Sequence, residues 1–302
     1  MRNRHVAGFL AAVLFACGSV SGEPGDGSGD GGDAGPSDGA GDTSADSPGD
    51  LPTDGDERLC TIDLVFAVDN SGSMQEEIRD FRDNVWPALA DALLTVSGGA
   101  GGDPFRAAVI DACPDPASFH TRGESGECDF ESAEVWMESD SSDLEGEFQC
   151  VGDIWDGDRS CTGDNDDEQP ASAAAEALSS PWTDADGANF GFVRSGALLI
   201  VIAITDEDET PVPDATAADI FDKIVAVKGG DPKKVVFLGI GGASDCSGPY
   251  GNADEAVMLK QVADLFIAED RGIFWDLCGG ALADGLTDAM TVIDVACEDL
   301  II

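Results

Sequence analysis

The stretch "LVFAVDNSGSM", residues 64–74, opens as a strand and ends as a cluster of oxygen donors. Leu64, Val65, Phe66 and Val68 are the β-branched and apolar residues of a buried strand. Asp69, Ser71 and Ser73 then follow two residues apart, and Met74 begins a helical pattern. A strand, a short polar turn and a helix make the first unit of an α/β fold, and the rest of the chain repeats that alternation.

The helix after the turn is predicted over residues 74–96. Met74, Ile78, Phe81, Val85, Leu89, Leu93 and Val96 recur every three or four residues, and Pro87 is expected to bend it. "FRAAVIDA" (105–112) reads as the second strand and "AEVWME" (133–138) as a short edge strand within a cysteine-containing excursion. "EQPASAAAEALSS" (168–180) is a helix with Pro170 near its start, where proline is tolerated. "ALLIVIAITD" (197–206) is a near-continuous apolar run, the mark of a strand covered on both faces. Helices at 215–228 and 253–268, strands at 233–242 and 272–278, and a last helix over 281–299 complete the pattern. The expectation is α/β: a single doubly wound, mostly parallel sheet flanked by helices, spanning residues 58–302.

In such sheets ligands sit beyond the carboxyl ends of the strands. Asp69 and Asp206, in "ITDEDE", both fall there. Carboxylates and hydroxyls are hard ligands suited to Mg2+, Ca2+ or Mn2+. Asp and Ser also cap helices, but a cap needs one such residue and the full Asp-x-Ser-x-Ser set is present. Glu207, Asp208 and Glu209 read as a solvated rim around the site, with raised cation attraction or a second ion as the alternative. "DNDDE" (164–168) alternates carboxylates like part of a calcium loop but lacks the glycine and distal Glu of an EF-hand.

These residues resemble the von Willebrand factor type A domain, and "DNSGSM" is similar to that family's metal-ion-dependent adhesion site. The resemblance implies a Rossmann-like fold and a divalent cation held by Asp69, Ser71, Ser73, a threonine from a later loop and Asp206. Thr162 in "CTGDNDDEQP" is the expected threonine, with Thr183 its competitor. It implies further that the cation keeps an open position for an Asp or Glu carboxylate of a protein partner, and that the chain is not an enzyme. "EQP" and "NFGFVRSGALLIVIAITDEDE" also resemble secreted bacterial lipoproteins that carry this domain.

The N-terminus points to export. Arg2 and Arg4 precede the apolar "VAGFLAAVLFA", too short to span as a mature helix, and "LFAC" resembles a lipobox with Cys17 as the lipidated residue. An ordinary secretory signal with an incidental cysteine is the alternative. Gly18 in place of an aspartate favours the outer membrane. Residues 18–57, rich in Gly, Asp, Ser and Pro with eleven acidic residues, form an extended disordered tether to that lipid anchor.

The charge balance, 61 acidic residues against 15 basic ones, argues against nucleic acid as a partner. The cysteines beyond Cys17 are Cys60, Cys113, Cys128, Cys150, Cys161, Cys246, Cys278 and Cys297, an even set that suits disulfides in an exported chain. Eight cysteines allow 105 pairings. Cys60 with Cys297, pairing within the group from Cys113 to Cys161, and Cys246 with Cys278 is one arrangement among these. His120 is the only histidine left after signal removal, which disfavours Ser–His–Asp or Cys–His catalysis. There is no phosphate loop, since "GIGGAS" lacks the lysine. A metal-assisted hydrolase and a purely structural ion remain as alternatives.

Overall fold

A computed structural model describes residues 60–96, 105–123, 125–154, 161, 168–210, 213–249 and 251–301. The expected signal peptide, Cys17, the tether, Thr162 and most of "DNDDE" lie outside the described residues.

β1 (Ile62–Val68) is buried along its whole length at the middle of a six-stranded sheet. Going outward on one side come β6 (Leu198–Ile204), β7 (Val235–Gly241) and β10 (Gly272–Asp276). On the other side come β2 (Arg106–Asp111) and the two-residue β5 (Met137–Glu138). All neighbours pair in parallel except β2 with β5. Two small antiparallel hairpins stand apart: β3–β4 (Arg122–Gly123 and Gly126–Glu127) and β8–β9 (Cys246–Gly248 and Gly251–Ala253).

Helices cover both faces, which is why the strands are apolar without alternation. Leu64, Phe66 and Val68 pack on one side with α1 (Gln75–Asp80), α2 (Trp86–Val96), α3 (Leu144–Val151) and α7 (Leu282–Ile301). Val65 and Ala67 pack on the other with α4 (Pro170–Ala177), α5 (Ala217–Val227) and α6 (Val257–Ile267). α4 buries five alanines, small side chains that let it lie close to β1, β2 and β6.

The first long helix is interrupted rather than merely bent. Residues Phe81–Val85 form one π turn, and the Trp86 N–H donates to the Phe81 carbonyl five residues back. Pro87 has no N–H to give the α-helical ladder, and the wider turn just before it absorbs that loss.

Four disulfides form: Cys60–Cys297, Cys113–Cys161, Cys128–Cys150 and Cys246–Cys278. The first joins the segment entering β1 to the last helix, 237 residues apart. Each should contribute on the order of 2–4 kcal/mol by restricting the unfolded chain. Thiol titration of the unfolded, unreduced domain is therefore expected to find none of these eight cysteines free. Free thiols in near-molar ratio would contradict the pairing.

Candidate metal centre

β1, β2 and β6 end level with one another. Val68 pairs with both Asp111 and Ile204, so residues 69, 111 and 205–206 emerge at one edge of the sheet. The Asp69 N–H continues the ladder to the Ile204 carbonyl at 2.9 Å, which fixes where its side chain begins.

Asp69 is fully buried. Its Oδ1 accepts from the Ser71 N–H at 2.8 Å, and its Oδ2 accepts from the Thr205 hydroxyl at 2.7 Å. The chain then turns through Ser71 (φ −60°, ψ 159°) into a short 3-10 turn, Gly72–Met74. Ser71 occupies the N-cap position, yet its side chain caps nothing. Its Oγ lies 2.8 Å from the Ser73 Oγ, and the Ser73 hydroxyl donates to Asp206 Oδ1 at 3.2 Å. The hydroxyls thus face each other and Asp206 instead of the helix, which removes capping as their explanation.

Asp206 follows Thr205 off β6, and its carbonyl accepts from the Asp254 N–H at 2.8 Å. The structure therefore brings Asp69, Ser71, Ser73 and Asp206 together from positions more than 130 residues apart in sequence. For Thr162, only its neighbours are described. Cys161 is bonded to Cys113 just beyond β2, and Glu168 exchanges backbone hydrogen bonds with Thr210 just beyond β6. Those anchors flank the strand that carries Asp69. Thr183 follows the C-terminal end of α4, the end turned away from the Glu209 contact and from the strand ends.

The expected solvated rim needs correction. Glu209 is buried: its carboxylate accepts from the Ala171 N–H (2.8 Å), the Ser172 N–H (3.3 Å) and the Ser172 hydroxyl (2.6 Å), filling the open N-terminus of α4. Asp208 likewise accepts from the Met258 N–H at the start of α6. Two further residues were not anticipated. Thr205 holds the Asp69 carboxylate, and Glu77, in the first turn of α1, is buried beside the site with Oε2 lacking any hydrogen-bond partner. The spacing Met74–Glu77–Ile78–Phe81 already places Glu77 on the apolar face. That was the available signal.

The group is negative and desolvated. Burial pushes the Asp69 carboxyl up to about 6, with Asp206 adding to the rise and the Ser71 and Thr205 hydrogen bonds opposing it. Burial raises Asp206 too, and takes Glu77 and Glu209 each to about 7. Hard oxygen donors, carboxylate and hydroxyl together, fit a divalent cation of the magnesium or calcium class. Two of the lone-pair sites on Asp69 are already engaged, which leaves room for contact directly or through water. Asp276, Cys246 and Cys278 also lie close together, but the two sulfurs are joined as a disulfide and offer no thiolate. His120 is held by Asp111, with Nε2 3.1 Å from Oδ2.

A pH dependence follows. Asp69, Glu77 and Glu209 hold a proton more tightly folded than unfolded, where ordinary values are 3.8 and 4.5. Between about pH 4 and pH 7 the unfolded chain binds fewer protons, so stability falls as pH rises. Ion-free protein in chelator is expected to melt higher at about pH 5 than at about pH 8, with a divalent ion recovering part of the loss at the higher pH. Melting temperatures that are level or rise toward pH 8 would contradict the assignment.

No family model matches the chain, and no curated protein matches it. Among solved structures it is similar to proximal thread matrix protein 1 from the mussel byssus. Crystal form 2 of that protein aligns with a TM-score of 0.43 at 16% identity, covering 80% of this chain and 49% of that one. A second structure, described as having a zinc occupied MIDAS motif, aligns with a TM-score of 0.42 at 14% identity and the same coverage. The chain spans about half the length of that protein. Likeness at this level leaves function to the site's own geometry.

Proposed function

We propose that this chain is a von Willebrand factor type A module whose strand-end site holds one divalent cation and captures a carboxylate of a protein partner. The observation that supports this most is the convergence of the Ser71 and Ser73 hydroxyls on each other and on Asp206, beside a buried Asp69. Asp69, Ser71, Ser73 and Asp206 supply ligands, and Thr162, which follows Cys161 in sequence, completes the set. With three neutral hydroxyls among the donors and the aspartates acting through water, a bound cation keeps an open position that an Asp or Glu from outside fills. Thr205 orients Asp69, and the aliphatic strands below exclude water.

The same proposal sets the module on a bacterial envelope, with Cys17 as its lipid anchor and residues 18–57 as the tether. Intact mass of the exported protein tests that part, since an unacylated N-terminus would remove it. Capture of envelope proteins on immobilised domain, with magnesium and then with chelator, tests partner binding. The proposal expects capture that chelator abolishes and that the Asp69→Ala protein lacks. Capture indifferent to chelator would favour the reading in which the ion only braces the loops.

A further inference from the structure

α4 begins without a cap of its own. Its N-cap residue, Gln169, makes no side-chain hydrogen bond to the helix, and Pro170 in the first turn has no N–H to offer. The free donors are met instead by Glu209, from 37 and 38 residues away. Its Oε1 accepts from the Ala171 and Ser172 N–H groups, and its Oε2 accepts from the Ser172 hydroxyl. An Asp or Ser at position 169 would have capped the helix locally. Capping from the loop after β6 does what a local cap does not, because it ties that loop to the helix.

The same loop carries Asp206. β6 ends at Ile204, and separate anchors set the course of residues 206–210. The Asp206 carbonyl accepts from the Asp254 N–H, and the Asp208 carboxylate accepts from the Met258 N–H at 2.7 Å. Thr210 exchanges backbone hydrogen bonds with Glu168. Asp254 and Thr210 are exposed and Asp208 is half-buried, whereas Glu209 is 2% exposed and makes its three contacts where water does not compete. Its support is firm. Residues 170–175 of α4 are all buried, and the helix packs on β1, β2 and β6.

We propose that Glu209 is a positioning residue of the strand-end centre. Seated in the N-terminus of α4, it fixes the loop from Asp206 to Thr210, and with it the direction in which the Asp206 carboxylate meets the cation. This role rests on the cation reading of that centre. Glu209 acts through shape and hydrogen bonding rather than charge, since α4 engages both of its oxygens.

Magnesium titration by calorimetry, on oxidised protein held well below each variant's melting temperature, tests the role. Glu209→Ala frees the loop, and its magnesium affinity is expected to fall about tenfold or more, the usual loss when a group supporting a metal ligand is removed. Glu209→Gln offers its oxygen to the two N–H groups and its amide to the Ser172 hydroxyl, so its affinity is expected to stay close to wild type. Ser172→Ala loosens the same contact from the helix side. It is expected to show a smaller loss in the same direction, and it carries the test if Glu209→Ala does not fold. Asn189→Ala is the structural control, because Asn189 is fully buried and makes three hydrogen bonds, one of them to the Ala177 carbonyl at the far end of α4. That variant is expected to melt lower than wild type with its magnesium affinity unmoved. Affinity unchanged in Glu209→Ala and Ser172→Ala, beside a wild type that binds the ion, overturns this role and leaves the cation reading standing. A loss as large in Glu209→Gln assigns the effect to charge, and one as large in Asn189→Ala assigns it to any loosening of α4; either overturns the role. A wild type that takes up no magnesium overturns the cation reading and the role with it.

Discussion

Asp63→Ala is expected to cost about 3–5 kcal/mol of stability, because it strands a buried ammonium. Asp63 lies at the amino end of β1 and is fully buried. Its Oδ1 accepts from the Arg194 Nε at 2.7 Å, its Oδ2 accepts from the Arg194 N–H at 2.7 Å, and Lys228 Nζ lies 3.3 Å from Oδ2. The Lys228 side chain is fully buried too, and donates as well to the Arg194 carbonyl. Burial already pulls the Lys228 pKa down, with the Asp63 charge opposing that fall. Without Asp63, Lys228 must lose its proton or open the structure to water. Denaturant melts of Asp63→Ala, and of Asp63→Ala combined with Lys228→Met, check this. The double variant should recover much of the loss, since a buried pair replaced by apolar groups is often neutral. A single variant within about 0.5 kcal/mol of wild type would show that the network contributes nothing.

This triad also shows what sequence reading leaves out. β1 is legible from its apolar run, but Asp63 inside "TIDLVFAVD" meets partners 131 and 165 residues away, and no local pattern announces them. Glu209 was hidden in the same manner. The run Glu207–Glu209 looks uniformly solvated, yet the open N-terminus of α4 recruits one member of it from 37 residues away. The alternating strands and helices were readable because each element carries its own periodicity and both sheet faces are covered. Disulfide connectivity was open because spacing does not choose among pairings, whereas Cα separations of 5.3–6.1 Å do. Asp69, Ser71, Ser73 and Asp206 were legible as donors at strand ends. Thr205 was not, because it reads as the end of an apolar strand.

Asp69→Ala is expected to remove cation binding. Asp69 is the carboxylate most enclosed at the site, and its two oxygens are aimed by Ser71 and Thr205. Loss of a supporting group around a metal commonly costs 10–100-fold in affinity, so deleting a charged ligand should cost on the order of 100-fold or more. Ser71→Ala should cost less, roughly tenfold, since water can replace one neutral oxygen. The fold should survive both changes, because the core strands lie below the crevice. Asp69→Asn keeps the shape and removes the charge, and its ion-free form should be at least as stable as wild type at about pH 8.

Magnesium titration by calorimetry, near neutral pH and in the oxidised domain, is the most direct test. The account expects saturable binding of one ion in wild type, weaker binding in Ser71→Ala, and none detectable in a folded Asp69→Ala. Equal magnesium binding by wild type and Asp69→Ala would contradict it.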